Sequence, residues 1–128
     1  MNMNPFMKYQ QTAVQTSGPQ LLLMLYDGAI RFTRAGIEGI QQREVQKSNT
    51  NLIKAQQVIH ELVASLNFEY ELSHNLVQIY EYMIHQLIAA NTRKESEPAQ
   101  EVLNHLLELK ATWTIAIRKS AQAEAQQI

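Results

Sequence analysis

The sequence contains no cysteine, which excludes disulfide bonds, thiolate metal ligands and a cysteine nucleophile. Its longest apolar run, residues 21–26, is far shorter than the roughly 20 residues that a membrane-spanning helix needs. The N-terminus lacks the basic region, apolar core and small-residue cleavage site of a secretory signal. Because a reducing compartment suits a chain without cysteine, we expect a cytoplasmic protein that does not insert into membranes.

Basic residues are few and scattered. Lysine and arginine total 11 against 12 acidic residues, which gives a formal net charge of −1. Only Arg93-Lys94 and Arg118-Lys119 form adjacent basic pairs. A nucleic-acid binder usually carries a basic stripe that neutralises phosphates, so we expect no nucleic-acid partner.

The sequence also lacks the sustained alternation of apolar and polar residues that is typical of strands. Its Asp-Gly pair at Gly28 lies inside a helical pattern, where the glycine is expected to permit close contact with another helix. Ser17 and Ser96 are the expected N-caps of the first and last helices, and each precedes a proline in the first turn. Apolar residues recur at helical spacing in four segments. The predicted helices cover about 17–42, 49–66, 71–92 and 96–120.

Four amphipathic helices joined by short polar links predict an all-α, antiparallel four-helix bundle. Residues 1–16 are polar apart from a few isolated apolar side chains, and we interpret them as a mobile N-terminal arm. The bundle should occupy residues 17–120. Residues 121–128 are rich in alanine and glutamine and are expected to fray.

Helices three and four carry more apolar residues than one core-facing stripe requires. Leu76, Met83 and Leu106 lie at the centres of the core stripes. A second, adjoining stripe has three possible roles: a wider core, a dimer interface, or a groove that accepts amphipathic helices from a partner. Spacing alone leaves these alternatives open. The residues of the second stripe that we selected are Val77, Tyr80, Ile84, Ile88, Leu103 and Leu107.

Candidate chemistry is weak throughout. His74 follows Glu71 at the spacing that di-iron bundles use, but the second Glu-x-x-His motif that such sites need is missing. The pair Glu101 and His105, like the pair at 81 and 85, is expected to be a solvent-facing i,i+4 pair. No lysine lies three residues after a histidine, as in phosphotransfer modules, and no Gly-x-Ser-x-Gly elbow occurs. We therefore predict no catalytic, cofactor-binding or metal-binding residues.

Three segments carry a family resemblance. The first combines Tyr9 with residues 17–30, which include a Ser-Gly-Pro turn and a Leu-Tyr-Asp-Gly helix; the second is residues 75–91; the third is Trp113 late in the last helix. In order and spacing, these segments resemble FliS, the family of flagellin-specific secretion chaperones. The resemblance spans about residues 9–119.

The resemblance implies a non-enzymatic export chaperone. Members of that family bind the C-terminal segment of flagellin, which is disordered before assembly, prevent its premature polymerisation and deliver it to the flagellar type III export gate. It implies flagellin binding in apolar grooves, for which we select the second stripe defined above, and an N-terminal region including Phe6 and Tyr9 that covers a groove and takes part in handover. The alternatives are a purely structural bundle that dimerises and, third, a metal-dependent oxidase.

Overall fold

The computed structural model describes residues 14–126, which form four helices and no strand. Each helix packs against its neighbours in the chain, and the last also packs against the first, so the four form a closed ring. Short connections make successive helices antiparallel. The predicted all-α four-helix bundle is therefore confirmed. The helices are α1 (Pro19–Gln41), α2 (Val45–Ala64), α3 (Glu71–Arg93) and α4 (Glu97–Gln126).

Helix α1 begins after Gly18 rather than after the predicted cap Ser17. Gly18 has a φ of 84°, a left-handed conformation that glycine adopts without steric cost, and Pro19 takes the first helical position. The Ser17 hydroxyl is buried and has no hydrogen-bond partner within residues 14–126. The glycine therefore sets the start of the helix through its backbone.

The close approach of α1 and α2 occurs at Gly36 and Gly39, not at Gly28 as the sequence suggested. A Cβ on Gly39 would lie 2.6 Å from the backbone nitrogen of Ser48, whereas a Cβ on Gly28 would meet only Val58, at 4.0 Å. This contact extends α2 toward the N-terminus. The helix begins at residue 45 instead of 49, with Ser48 buried inside it.

Lys94 joins the end of α3 to the start of α2. It has a left-handed φ of 55° and follows the last residue of α3. Its Nζ donates hydrogen bonds to Asn49 Oδ1 and Asn91 Oδ1, both at 2.6 Å, and to Ser48 Oγ at 3.1 Å. Ser48, which the predicted helix bounds leave in the connection between the first two helices, is therefore part of a helix junction.

The predicted core centres are buried: Leu76 is 5% exposed, and Met83 and Leu106 are 0% exposed. Leu72 and Ile79 lie at helical spacing from Leu76 and Met83, as core residues would, but they are 39% and 38% exposed. The core stripe of α3 is therefore displaced around the helix toward Tyr80, which is completely buried.

The bundle extends beyond the predicted bounds, residues 17–120, at both ends. Val14 and Gln15, at the end of the predicted arm, are buried against the bundle, while Phe6 and Tyr9 lie outside the described residues. Helix α4 continues to Gln126 and so includes most of the segment that was expected to fray. Packing of residues 14–16 thus moves the start of the folded part before the predicted boundary.

Candidate functional site

The structure separates the six residues that the sequence selected for flagellin binding. Tyr80, Ile84 and Leu103 are 0%, 8% and 7% exposed. They belong to the core, which corrects the expectation that they line an open groove. Ile88 and Leu107 are exposed, and Val77 is half-buried.

The remaining candidates on α3 face away from α4. Tyr82 and Gln86 form hydrogen bonds with Glu101, so their side of α3 faces α4. At about 100° per residue, Val77 and Ile88 lie roughly 120–140° around the helix from Tyr82. They therefore lie on the side of α3 that packs against α2.

Leu107 lies on another side of the bundle. Three residues later, Lys110 Nζ lies 2.6 Å from Asp27 Oδ1 of α1, and positions three apart share a helix face. Leu107 is therefore at the α1–α4 edge. The second stripe predicted from the sequence is not one continuous groove but parts of two.

An open depression lies between α3 and α4, and we call it the α3–α4 groove. Its volume is about 720 Å³, within the range of ligand-binding pockets. Ile79 and Leu109 provide aliphatic surface, and Tyr82 is 45% exposed. It is lined by Asn75, Gln78, Ile79, Tyr82, His105, Glu108, Leu109 and Thr112.

A cluster of polar side chains lies at one end of this groove. The Tyr82 hydroxyl donates to both carboxylate oxygens of Glu101, at 2.9 Å each, and Gln86 Nε2 donates to Oε1 at 2.8 Å. His105 Nε2 lies 3.6 Å from Glu101 Oε2. Hydrogen bonds from Tyr82 and Gln86 lower the pKa of Glu101, and the same carboxylate raises the pKa of Tyr82.

The groove was missed in the sequence because the helical spacing of Ile79 and Leu109 groups them with the core residues of their helices. The spacing of Asn75, Ile79, Tyr82 and Gln86 gives a mixed polar and apolar face, which is typical of a half-exposed helix surface. Nothing in that spacing indicates which helix lies beside it. The predicted solvent-facing pair Glu101 and His105 is confirmed, since both side chains are about 40% exposed.

A second polar cluster is buried and holds the segment before α1. The hydroxyl oxygens of Tyr26 and Tyr80 lie 2.5 Å apart and share a hydrogen bond. The Tyr80 hydroxyl donates to Gln15 Oε1 at 2.6 Å. Gln15 Nε2 donates to Ser65 Oγ at 2.6 Å and to the Leu62 carbonyl at 3.2 Å. Gln15 therefore bonds directly to residues of α2 and α3 and, through Tyr80, is linked to Tyr26 of α1. These bonds satisfy polar groups that would be costly to bury alone.

The backbone of the same segment pairs with the connection between α2 and α3. Thr16 N donates to the Ser65 carbonyl at 2.7 Å, and Asn67 N donates to the Val14 carbonyl at 2.9 Å. These bonds form an isolated antiparallel bridge between Gln15 and the residue before Asn67. The chain entering α1 is thereby fixed at one end of the bundle.

The tyrosine pair should make the protein sensitive to alkali. Burial raises the pKa of Tyr26 to about 12, although hydrogen bonds with Tyr80 and Trp113 act to lower it. Burial also raises the pKa of Tyr80. An unfolded tyrosine has a pKa of about 10. Because the pKa values of both tyrosines are raised in the folded protein, the un-ionised hydroxyls stabilise the fold. That contribution is fully present below pH ~10 and is lost as pH rises toward ~12.

We expect the free energy of unfolding, measured in urea, to fall across this pH interval. Tyr26→Phe should lose less stability than the unsubstituted protein between the same two pH values, because one of the two buried hydroxyls can no longer ionise. An identical pH dependence in both proteins would show that other groups control alkaline unfolding.

Two kinds of site are absent from residues 14–126. No group of three or more histidine, aspartate or glutamate side chains in this range is placed to hold a metal ion. Nor does any helix of the same range have the length and apolar character required to cross a membrane.

The chain matches the family model described as flagellar protein FliS over residues 2–120. It is 37% identical over 116 residues to the flagellar secretion chaperone FliS of Bacillus subtilis, covering 90% of this chain and 87% of that protein. It is 31% identical over 120 residues to the protein of the same name from Salmonella typhimurium, covering 91% and 89%. Similarity at this level over nearly the full length shows common descent, and the chain belongs to the FliS family.

Proposed function

We propose that this protein is a flagellar export chaperone that binds the disordered C-terminal segment of flagellin in the cytoplasm. The observation that carries the proposal is its similarity, over about nine-tenths of the chain, to relatives named flagellar secretion chaperones. By covering that segment, the protein prevents premature polymerisation. It then delivers flagellin to the flagellar type III export gate.

Exposed apolar side chains support a binding role. Ile88 and Leu107 are 45% and 38% exposed on two different sides of the bundle, and Met24 on α1 is 67% exposed. A disordered client that wraps around the bundle can reach separate surfaces of this kind. Its ordering entropy opposes binding, which limits affinity per unit area and favours release at the export gate.

Calorimetric titration with monomeric flagellin tests the proposal. We expect a one-to-one complex and a negative heat-capacity change, because apolar surface is buried as the client folds. Flagellin that lacks its C-terminal segment should bind at least about ten-fold more weakly, which is about 1.4 kcal/mol. Equal affinity for both forms would contradict the proposal.

Substitutions at Ile88 and Leu107 identify which sides of the bundle flagellin contacts. Ile88→Gln and Leu107→Gln should weaken flagellin binding without changing thermal stability, because neither side chain is in the core. Ile84→Gln is the matched comparison on α3, since Ile84 is only 8% exposed. It should destabilise the fold by burying an unpaired amide. If both exposed variants bind normally, these positions are not part of the client site.

A further inference from the structure

Two positive charges from different helices meet at one aromatic ring. Arg31 Cζ lies 4.9 Å from the centroid of the Phe32 ring, and Lys54 Nζ lies 5.6 Å from the same centroid. Arg31 and Phe32 belong to α1, whereas Lys54 belongs to α2. Both basic residues are exposed, and the phenylalanine is half-buried. We call these three residues the Phe32 cluster.

The Phe32 cluster lies where the same two helices could form an ion pair. Further along them, Lys47 of α2 pairs with Glu38 of α1. Arg31 lies seven residues before Glu38 on α1, and Lys54 lies seven residues after Lys47 on α2. Because the helices are antiparallel, both steps run about two turns in the same direction, so the two cations occupy equivalent positions of the helix pair. An arginine therefore stands where the neighbouring pair has a carboxylate.

Carboxylates of the bundle do not neutralise the two cations. Within residues 14–126, neither Arg31 nor Lys54 forms an ion pair. Asp27 is one helical turn before Arg31, a spacing that allows pairing, but its Oδ1 lies 2.6 Å from Lys110 Nζ of α4. The residues three or four positions from Lys54 are all uncharged: Thr50, Asn51, Gln57 and Val58.

The convergence of the two cations distinguishes them from the single unpaired charges that are common on protein surfaces. Cation–π attraction draws both to one ring, and like charges that approach each other repel. A carboxylate in place of Arg31 would remove this repulsion, as Glu38 does opposite Lys47. Departures of this kind from the arrangement that best stabilises a fold are expected at functional sites.

We propose that the Phe32 cluster binds an acidic segment of a partner protein, with an aspartate or glutamate carboxylate between Arg31 and Lys54 and an apolar side chain against Phe32. Such a carboxylate offsets the repulsion between the two cations, and the planar guanidinium can donate two hydrogen bonds to it. Complementary charge provides selectivity for the acidic segment. The inference goes beyond the proposed function and does not rest on it.

The charges around the cluster fit a protein carboxylate better than a nucleic acid. A nucleic-acid site usually has a stripe of cations that follows successive phosphates. Here two cations meet at one ring, and the next level of the same helix pair carries the acidic Glu38. The formal net charge of the whole chain is −1. A short segment with one or two carboxylates matches this local charge.

Two synthetic peptides test the proposal on the full-length, isotope-labelled protein by solution NMR. One peptide contains glycine, serine, leucine and two adjacent glutamates; the other has glutamine at those two positions. At low salt, we expect the acidic peptide to bind at least about ten-fold more tightly and to shift the amide signals around Phe32 and Lys54. High salt should reduce this preference, because the charges are exposed to solvent.

A double variant and its matched control locate the site. Arg31→Gln, Lys54→Gln should bind both peptides with nearly equal affinity. The control Arg118→Gln, Lys119→Gln also removes one arginine and one lysine from exposed positions, but on α4. It should keep the preference for the acidic peptide.

Arg31→Glu separates a binding site from a contact that serves the fold. This change places a carboxylate opposite Lys54, as Glu38 lies opposite Lys47. We expect the midpoint of urea unfolding not to fall, while the preference for the acidic peptide is lost. A clearly lower midpoint would show that the cations stabilise the bundle through Phe32, and the inference would then be wrong.

Three binding results would also overturn the inference. They are equal affinity of the unsubstituted protein for both peptides, an unchanged preference in Arg31→Gln, Lys54→Gln, and displacement of the acidic peptide by an equal concentration of single-stranded oligonucleotide. The last result would assign the cluster to nucleic acid. The flagellin titration is a separate measurement, so either proposal can fail without the other.

Discussion

Leu106→Ala is expected to lower the free energy of unfolding by about 2–5 kcal/mol, the range for large-to-small substitutions at buried leucines. Leu106 is 0% exposed and lies at the centre of the buried stripe of α4. Truncation removes apolar burial and leaves a cavity that the surrounding helices fill only in part. Unfolding in urea measures the change directly.

The neighbouring leucine provides a matched control. Leu107→Ala makes the same chemical change on the same helix, but Leu107 is 38% exposed at the α1–α4 edge. We expect a loss of less than about 1 kcal/mol, as for most surface substitutions. Similar losses at the two positions would show that Leu107 is covered in solution, for example by a second copy of the chain.

Gly39→Ala is the second substitution with a large expected effect, about 2–3 kcal/mol of destabilisation. The added Cβ would lie 2.6 Å from the backbone nitrogen and 3.0 Å from the Cα of Ser48. Backbone atoms cannot rotate away as the end of a side chain can. The start of α2 must therefore move from α1, at a cost larger than the gain in helix propensity of about 1 kcal/mol.

Gly28→Ala separates the effect of contact between helices from the effect of helix propensity. Gly28 is on the same helix, but its added Cβ would have only an ordinary contact with Val58, at 4.0 Å. This variant should be neutral or up to about 1 kcal/mol more stable. If chemical denaturation shows that both alanine variants are stabilised, the close approach of α1 and α2 at Gly39 does not constrain the fold.

The four helices could be predicted because each has an apolar stripe with helical period, and short links between such helices favour an antiparallel bundle. Their ends were harder to predict because tertiary contacts decide them. Helix α2 begins at Val45 because Ser48 packs on Gly39 and accepts a hydrogen bond from Lys94. A local pattern of polar residues cannot indicate a contact made 46 residues later in the chain.

The candidate site could be predicted only in outline. Periodicity gives the angle between two residues of one helix, but it does not identify the neighbouring helix on either side. Val77 and Leu107 were therefore grouped on one surface, although they lie at different helix interfaces. Similarly, Tyr80 was selected for the second stripe, whereas its buried hydroxyl donates to Gln15, which lies 65 residues earlier in the chain.

The position of Trp113 makes the unmodified chain its own optical probe. Trp113 is the only tryptophan, is 6% exposed, and neighbours the hydroxyls of Tyr26 and Tyr80. Its fluorescence can be excited at wavelengths longer than those that tyrosine absorbs. Its emission moves to longer wavelength when water enters its surroundings. Since Gln15 bonds to Tyr80 in the same space, that emission reports both the unfolding of the bundle and the release of the segment before α1.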